Sequence, residues 1–200
     1  MTITIDYYAS IPSPWTYFGH ARLCALAKKY DAKINFKLGD FGTVFSETGG
    51  LPLAKRAPER QKYRFQELKR WRKELNIDLE LNPEFFPVDP TNASYMVILA
   101  NSERLDALSL GGAFMHAVWA ENLDISDDET LVKIANKSGF DGSALLKNCT
   151  TSPIKTIYEA NTQEAIDCGV FGAPSYVIDG EIFWGQDRLM FVEKRLKEGS

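Results

Sequence analysis

The stretch Ser13-Pro14-Trp15-Thr16-Tyr17-Phe18 stands where an apolar run ends and a long helical pattern begins. The run before it, from Ile3 to Tyr8, is short and rich in β-branched and aromatic residues, which predicts a strand near the centre of a sheet. Ser13 suits the N-cap of the following helix because its hydroxyl can accept from a free backbone N–H. Pro14 suits the first helical position because its φ is preset. The sequence therefore predicts a strand-to-helix junction at Ser13.

This junction is chemically suited to a bound thiolate. The free N–H groups and the dipole of a helix start favour negative charge, and they lower the pKa of a thiol placed there. A hydroxyl at position 13 could also donate a hydrogen bond to such a thiolate. Taken alone, these residues leave a second interpretation open, in which Ser13-Pro14 is only a good helix cap.

Size, charge and cysteine content exclude several classes of protein. The 200 residues fit one domain, or a domain with a large insertion, and need no cross-links to bury a core. The net charge of −4 argues against a nucleic-acid partner, because that binding draws on a basic surface. Cys24, Cys149 and Cys168 form no CxxC pair and have no histidine cluster beside them. They predict neither a disulfide scaffold nor a metal site.

The termini and the hydropathy pattern carry no targeting signal. The start Met-Thr-Ile-Thr-Ile-Asp lacks the basic flank and long apolar core of a signal peptide. No segment reaches the roughly 20 apolar residues of a membrane span. We therefore expect a soluble, cytoplasmic protein without a membrane partner.

The first forty residues predict a β-α-β unit. The strand at 3–8 is followed by a helix at 15–30 and by a strand with period-two alternation at 34–38. Such a crossover is normally right-handed and joins parallel strands. Beyond it, glycines and prolines break the periodic pattern and predict a loop over the edge of the sheet, at positions 42, 49, 50, 52 and 58.

Helical patterns fill the middle of the chain. The first predicted helix spans 59–75, with four side chains expected to face inward, those of Tyr63, Leu68, Trp71 and Leu75. Four more helices are predicted, at 92–105, 111–121, 127–137 and 141–147. Asp127 and Asp141 are suited to cap two of them.

The C-terminal part returns to mixed character. It predicts a helix at 153–168, a strand at 175–178, a hairpin turn at Asp179-Gly180, a strand at 181–184 and a closing helix at 187–197. The sum is a single-body α/β chain with a thioredoxin-like core of the order β-α-β … β-β-α. We predict that this core covers approximately 1–40 and 150–200, and that an all-helical insertion of approximately 55–148 lies between its halves.

The turn Gly169-Val170-Phe171-Gly172-Ala173-Pro174 before the third strand strengthens the resemblance to the thioredoxin fold. In that fold a cis-proline lies beside the start of the active helix. By this likeness, Ser13-Pro14-Trp15-Thr16 takes the place where disulfide oxidoreductases of the fold carry Cys-Pro-x-Cys. Serine replaces the first cysteine and threonine the second, which argues against a dithiol oxidoreductase.

With Trp184-Gly185-Gln186-Asp187-Arg188-Leu189 at the last helix, the chain resembles the 2-hydroxychromene-2-carboxylate isomerases and their kappa-class glutathione transferase relatives. The resemblance spans almost the whole chain. It is supported by Gly49-Gly50-Leu51-Pro52 and by the helix from Tyr63 to Trp71. The order of these motifs carries the resemblance, since each motif alone is weak.

The resemblance implies a glutathione cofactor with its thiol at Ser13. It also implies that Ala173, next to Pro174, pairs its backbone with the cysteinyl part of glutathione. Gln186 and Asp187 would meet the γ-glutamyl end, and Trp184 with Gly185 would form the approach. For Asp187, an ordinary capping role is the structural alternative.

The resemblance further implies a small aromatic substrate with a carboxylate. Lys55, Arg56 and Arg60 lie where such a group could bind, and Phe85 stands where some relatives carry a tyrosine. A solvated helix face explains the basic residues equally well, because acidic residues alternate with them. His20 is expected to be structural.

We therefore predict a glutathione-dependent cis–trans isomerase that acts on 2-hydroxychromene-2-carboxylate or a similar intermediate of aromatic hydrocarbon degradation, such as that of naphthalene. Two alternatives stay open: a kappa-class-like glutathione transferase or peroxidase, and a non-catalytic thioredoxin-like binding module. We also predict that the protein forms a homodimer.

Overall fold

The computed structural model describes residues 2–199, and within them the chain forms one four-stranded sheet in the order β2-β1-β3-β4. The N-terminal unit consists of β1 (Thr4–Ala9), α1 (Pro14–Lys29) and β2 (Lys33–Leu38). β1 and β2 pair in parallel, with Ile5 opposite Ile34 and Tyr7 opposite Phe36. The β-α-β prediction is therefore confirmed.

Six helices follow β2 in the described chain. They are α2 (Phe41–Thr48), α3 (Pro58–Leu75), α4 (Thr91–Ser102), α5 (Ala107–Trp119), α6 (Asp128–Lys137) and α7 (Gly142–Cys149). Asp127 and Asp141 cap α6 and α7 by accepting from the backbone N–H groups of Thr130 and Ala144. Helix α8 (Ser152–Asp167) then leads back to the sheet.

The C-terminal unit is a β-hairpin followed by a helix. β3 (Ser175–Ile178) pairs antiparallel with β1 and with β4 (Glu181–Trp184), and α9 (Leu189–Glu198) closes the chain. Asp179 and Gly180 both have positive φ, 51° and 83°, as a two-residue hairpin turn of right-handed twist requires. The thioredoxin-like class predicted from the sequence is confirmed.

The region after β2 differs from its prediction, because α2 stands where a loop is expected. Asp40 caps it by accepting from the N–H groups of Gly42 and Thr43, and Gly49 ends it with a φ of 77°. Phe41 and Val44 provide the driving force, since both are buried in a small apolar cluster beside β1. A smaller difference concerns α9, which begins at Leu189 because Gln186–Arg188 form a 3-10 turn.

The inward face of α3 also differs from its prediction. Leu68 is fully buried, whereas Tyr63 is 57% exposed, so the expectation that Tyr63 faces inward is wrong. Its neighbour Arg64 turns inward instead. The reason is helical spacing, since 64, 68, 71 and 75 share one face of a helix and 63 lies about 100° away.

The sheet and the middle helices share one hydrophobic cluster. Tyr7 and Phe36 of the sheet belong to the same cluster as Val97 of α4 and Phe114 of α5. The division into a core and an insertion, with the boundaries given above, stays a prediction. Across residues 2–199, every helix falls short of the length or the apolarity that a membrane crossing would need.

Candidate active site

Ser13 is the N-cap of α1 and reaches the loop before β3. Its φ and ψ of −81° and 121° are extended, and its Oγ accepts from the N–H of Thr16 at 3.3 Å. The same hydroxyl donates to the carbonyl oxygen of Ala173 at 3.4 Å. A hydroxyl has one donor and two acceptor lone pairs, so the cap uses only its acceptor side. The donor side makes a long and therefore weak bond.

The loop before β3 faces Ser13 and contains a cis-proline, as in the thioredoxin fold. The Ala173-Pro174 peptide is cis, and the carbonyl oxygen of Pro174 accepts from the N–H of Gly185 at 2.9 Å. Gly172 lies against Trp184, where an added Cβ would come within 2.4 Å of the indole Nε1. Trp184 also meets Phe171 edge to face, with ring centroids 4.7 Å apart. The structure thus brings together the sequence-predicted residues 13, 173, 174, 184 and 185.

A cavity of about 800 Å³ opens beside this loop, which is a size typical of small-molecule sites. Its wall is built from the start of α1, the end of α2, residues 59–71 of α3, the loop before β3 and the turn after β4. The residues that line it are Trp15, Phe45, Gly49, Gly50, Leu51, Arg56, Glu59, Arg60, Tyr63, Arg64, Glu67, Trp71, Phe171, Gly172, Ala173, Trp184, Gly185, Gln186, Asp187 and Arg188.

Two sequence-predicted substrate residues are not brought to this cavity. Arg56 lines it, but Lys55, the last residue of a 3-10 turn, is exposed and does not. Phe85 is also exposed and does not line the cavity. The neighbouring Phe86 turns inward instead, and its ring centroid lies 5.1 Å from that of Trp119. Lys55 and Phe85 therefore lie outside this cavity, and their role in substrate binding stays a prediction.

Gln186 and Asp187 occupy different environments. Gln186 is only 2% exposed, and its Oε1 accepts from Arg22 Nη1 at 2.5 Å, so its side chain is held inside the protein. Asp187 keeps a partly exposed carboxylate, which pairs with Arg188 at 2.7 Å. Gly185 has a φ of 105°, and a Cβ there would lie 2.5 Å from Asp187 Oδ1. Only glycine fits beside this carboxylate.

No thiol of the chain lies at the start of α1. Thr16, in the place of the second cysteine, is fully buried, and its Oγ1 has no hydrogen-bond partner within residues 2–199. Cys24 lies further along α1, and burial raises the pKa of its thiol to about 11. A thiolate at this site must therefore come from a ligand.

His20 is structural, as expected. It is buried, its Nε2 lies 2.9 Å from the carbonyl oxygen of Leu108, and its Nδ1 lies 3.3 Å from the hydroxyl of Tyr7. Since Leu108 offers only an acceptor, Nε2 carries the proton and Nδ1 accepts from Tyr7. Burial lowers the pKa of His20, so it is neutral near pH 7.

Sequence reasoning missed Arg64 as a cavity residue. It lines the cavity although it is only 9% exposed. The signal was present, because Arg64, Leu68 and Trp71 repeat at i, i+4 and i+7 on α3. An arginine on an apolar stripe contradicts the usual assignment of charge to the solvated face.

Comparisons with known proteins identify the family and support the fold. Residues 4–197 match the family described as DSBA-like thioredoxin domain. The chain is 28% identical to a 2-hydroxychromene-2-carboxylate isomerase of Sphingobium xenophagum, with 98% of this chain and 99% of that protein covered. It is 25% identical to the isomerase of the same name from Pseudomonas putida, covering 96% and 93%. A kappa 2 glutathione S-transferase of Caenorhabditis elegans is 24% identical, covering 97% and 92%.

Two solved structures show the same fold. A structure of 2-hydroxychromene-2-carboxylate isomerase superimposes with a TM-score of 0.82 at 24% identity, covering 98% of this chain and 95% of that one. The cytosolic disulfide reductase DsbM of Pseudomonas aeruginosa, solved with GSH, gives a TM-score of 0.69 at 14% identity, covering 97% and 99%. At these identities the likeness concerns the fold alone.

Proposed function

Because this chain belongs to the family of DSBA-like thioredoxin domains, we propose that it uses the family's helix-start site with an external thiol. Specifically, the proposal is a glutathione-dependent cis–trans isomerase that acts on 2-hydroxychromene-2-carboxylate or a similar intermediate of aromatic degradation. The two isomerase relatives, matched over nearly their full length, support this choice. The observation that carries it is the Ser13 hydroxyl at the start of α1, where the fold's oxidoreductases place a thiol.

The site fits glutathione on three counts. Ser13 can redirect its weakly held proton from Ala173 to a thiolate, because hydroxyl groups rotate freely about their C–O bond. The N-terminus of α1 adds a favourable field for that negative charge. Asp187 offers a carboxylate to the γ-glutamyl ammonium group, and the cavity has room for a second ligand.

The remaining residues orient the cofactor. The backbone of Ala173 beside the cis Pro174 can pair with the cysteinyl residue, and Trp184 with Gly185 forms the approach. Gln186 positions the cofactor site rather than exposing its side chain, since Arg22 donates to both its side-chain Oε1 and its main-chain carbonyl oxygen. It anchors the turn that carries Asp187.

When bound, glutathione supplies a nucleophile whose reversible addition to a conjugated carbon lets the former double bond rotate. Ser13 holds the thiol in its ionised form, because a charge-assisted hydrogen bond is worth roughly 1.5–3 kcal/mol. Arg56 and Arg60 on the cavity wall favour an anionic substrate. The aromatic wall of Trp15, Trp71 and Trp184 provides apolar surface for its rings.

The test is the stoichiometry of glutathione during turnover. With a chromene carboxylate in large excess over glutathione, the proposed isomerase brings the whole substrate pool to its isomer equilibrium and leaves the glutathione unchanged. Isomer ratio and free thiol are measured in the same reaction. Consumption of one glutathione per product contradicts the isomerase and supports the kappa-class alternative, which the nematode relative favours. Absence of any reaction favours the non-catalytic binding module.

The cellular setting belongs to the same proposal. We place the protein in the cytoplasm, in the degradation of aromatic hydrocarbons such as naphthalene, and as a homodimer. The substrate is a small aromatic carboxylate, and neither nucleic acid nor membrane is a partner. Size measurement in solution tests the homodimer.

A further inference from the structure

Arg64 of α3 is a buried cation in the wall of the cavity. It is 9% exposed, and its Nη2 has no hydrogen-bond partner within residues 2–199. Burial is the main influence on its ionisation, followed by the like charge of Arg56, and no carboxylate of the described chain is paired with it. Arg64 therefore differs from the other arginines of the wall, which reach solvent.

An unpaired buried guanidinium is unfavourable for the protein alone. Removing a charged group from water without a partner costs free energy, and a buried N–H without an acceptor adds to that cost. Burial lowers the pKa of Arg64 to about 10, which still leaves it charged at neutral pH. The protein thus keeps a positive charge next to a cavity and leaves one of its donors unused.

Aromatic rings hold this guanidinium in place. Its Cζ lies 5.3 Å from the ring centre of Phe86, 5.9 Å from Phe65 and 6.0 Å from Trp119. Ring faces attract a cation, but they are poor substitutes for oxygen acceptors. The rings therefore leave the guanidinium without an oxygen acceptor, and a carboxylate can accept two parallel N–H bonds from an arginine.

Two of the three acidic residues of the wall already have cationic partners. Glu67 is bonded to Arg70, and Asp187 is paired with Arg188. Charges on the wall sum to a small positive excess, with four arginines at 56, 60, 64 and 188 against three acids at 59, 67 and 187. The cavity is therefore suited to a ligand that brings a negative group.

We propose that Arg64 is the carboxylate-binding residue of this cavity. The inference rests on the proposed function, because both ligands of that function carry carboxylates: the aromatic acid and glutathione. Their shared chemistry is a planar anion that pairs with the ring-lined guanidinium of Arg64. Arg64 then selects acids over neutral analogues.

The test compares matched ligand pairs on three proteins. One pair is chromone-2-carboxylate and chromone-2-carboxamide, which have the same ring system and differ in charge. The other pair is glutathione and its glycyl ethyl ester. Binding is measured by calorimetry with the wild type, with Arg64→Met, and with Arg72→Met as a control that exchanges an exposed arginine of the same helix. No turnover is required.

We expect the wild type and Arg72→Met to prefer the acid in at least one pair by roughly ten- to a hundredfold, the range of one charge-assisted hydrogen bond. Arg64→Met loses that preference, and Arg64→Lys, which keeps the charge without the fork, retains part of it. Loss in the chromone pair identifies the aromatic acid as the source, and loss in the glutathione pair identifies the cofactor. An unchanged preference in Arg64→Met, or no preference in the wild type for either pair, overturns the proposal.

The outcome is independent of the isomerase test. If glutathione is consumed during turnover but Arg64→Met loses acid preference, the proposed reaction fails and the carboxylate site stands. If isomerisation is catalytic in glutathione but the preference is unchanged, the reverse holds. Thermal unfolding of each variant verifies that the fold is intact before binding is compared.

Discussion

Ser13 can cap α1 and bind a thiolate at the same time, because the two roles use different parts of one hydroxyl. The cap takes a lone pair, through the N–H of Thr16 at 3.3 Å. The proton is free for another acceptor once it leaves the carbonyl oxygen of Ala173, 3.4 Å away. The sequence leaves open whether Ser13 is a helix cap or a binding residue. The structure shows that these two roles do not exclude each other.

Restoring a thiol at this position should restore disulfide chemistry. In Ser13→Cys, the helix N-terminus lowers the pKa of the new thiol. Its thiolate attacks one sulfur of added glutathione disulfide, a mixed disulfide forms, and one glutathione thiolate leaves. Mass spectrometry should find one glutathionyl group more than in the wild type treated alike, which controls for Cys24, Cys149 and Cys168. Equal labelling of both proteins would show that the position is not an active helix start.

At the scale of elements, α1 is tied to the closing helix at the end opposite the candidate site. Glu193 of α9 accepts from Lys29 Nζ and from the hydroxyl of Tyr30, both at 2.8 Å. The bond from Lys29 and then that from Tyr30 lower the pKa of Glu193 to about 2. This contact fixes the C-terminal end of α1 rather than the end that carries Ser13.

The lowered pKa predicts how this tie depends on pH. A carboxylate whose pKa is lower in the folded state stabilises the fold above its unfolded pKa, near 4.5, and loses that contribution as pH falls toward 2. Glu193→Gln should therefore be less stable than the wild type at pH 6, and the difference should shrink as the solution is acidified. Urea unfolding at several pH values measures it, with Glu198→Gln as the control on α9. A difference that grows in acid would contradict the assignment.

Most strands and helices could be predicted from the sequence, and the helix that could not is α2. β1, α1 and α3 fall within a residue or two of their predicted bounds. Helix α2 has only eight residues and contains Gly42, so its pattern is weak, and its stability comes from Phe41 and Val44 packing on residues distant in the chain. The two signals that could have found it were its terminal residues, Asp40 and Gly49.

At the scale of the whole molecule, the candidate site joins segments that are far apart in sequence. Ser13 and Ala173 are 160 residues apart along the chain, and α3 supplies another part of the wall. Resemblance to a family could bring residues 13, 173 and 187 together. It could not show that Arg64 lines the cavity or that Lys55 and Phe85 lie outside it, because those facts depend on which way individual side chains turn.

A ligand that binds this assembled site should stabilise the whole fold. On the proposed function, glutathione binds the native state and not the unfolded chain, so its free energy of binding should add to stability by mass action. At a concentration about 100 times its dissociation constant, the gain is roughly 2.7 kcal/mol. A thermal-shift titration should therefore show a rising melting temperature, and Gly185→Ala, which crowds Asp187, should require more glutathione for the same shift. No shift in the wild type would contradict a glutathione site.

The most direct measurement is the pKa of the thiol of bound glutathione, read from its thiolate absorbance during a pH titration. With the wild type, we expect a thiol pKa well below that of free glutathione. Ser13→Ala loses one charge-assisted hydrogen bond of about 1.5–3 kcal/mol, so the bound thiol's pKa should rise by about one to two units, and Ser13→Thr should stay near the wild type. The alanine variant also loses about 1 kcal/mol of capping stability, so the titration is made well below its melting temperature. An identical thiol pKa in the wild type and Ser13→Ala, at saturating glutathione, would contradict the account and leave Ser13 as a helix cap alone.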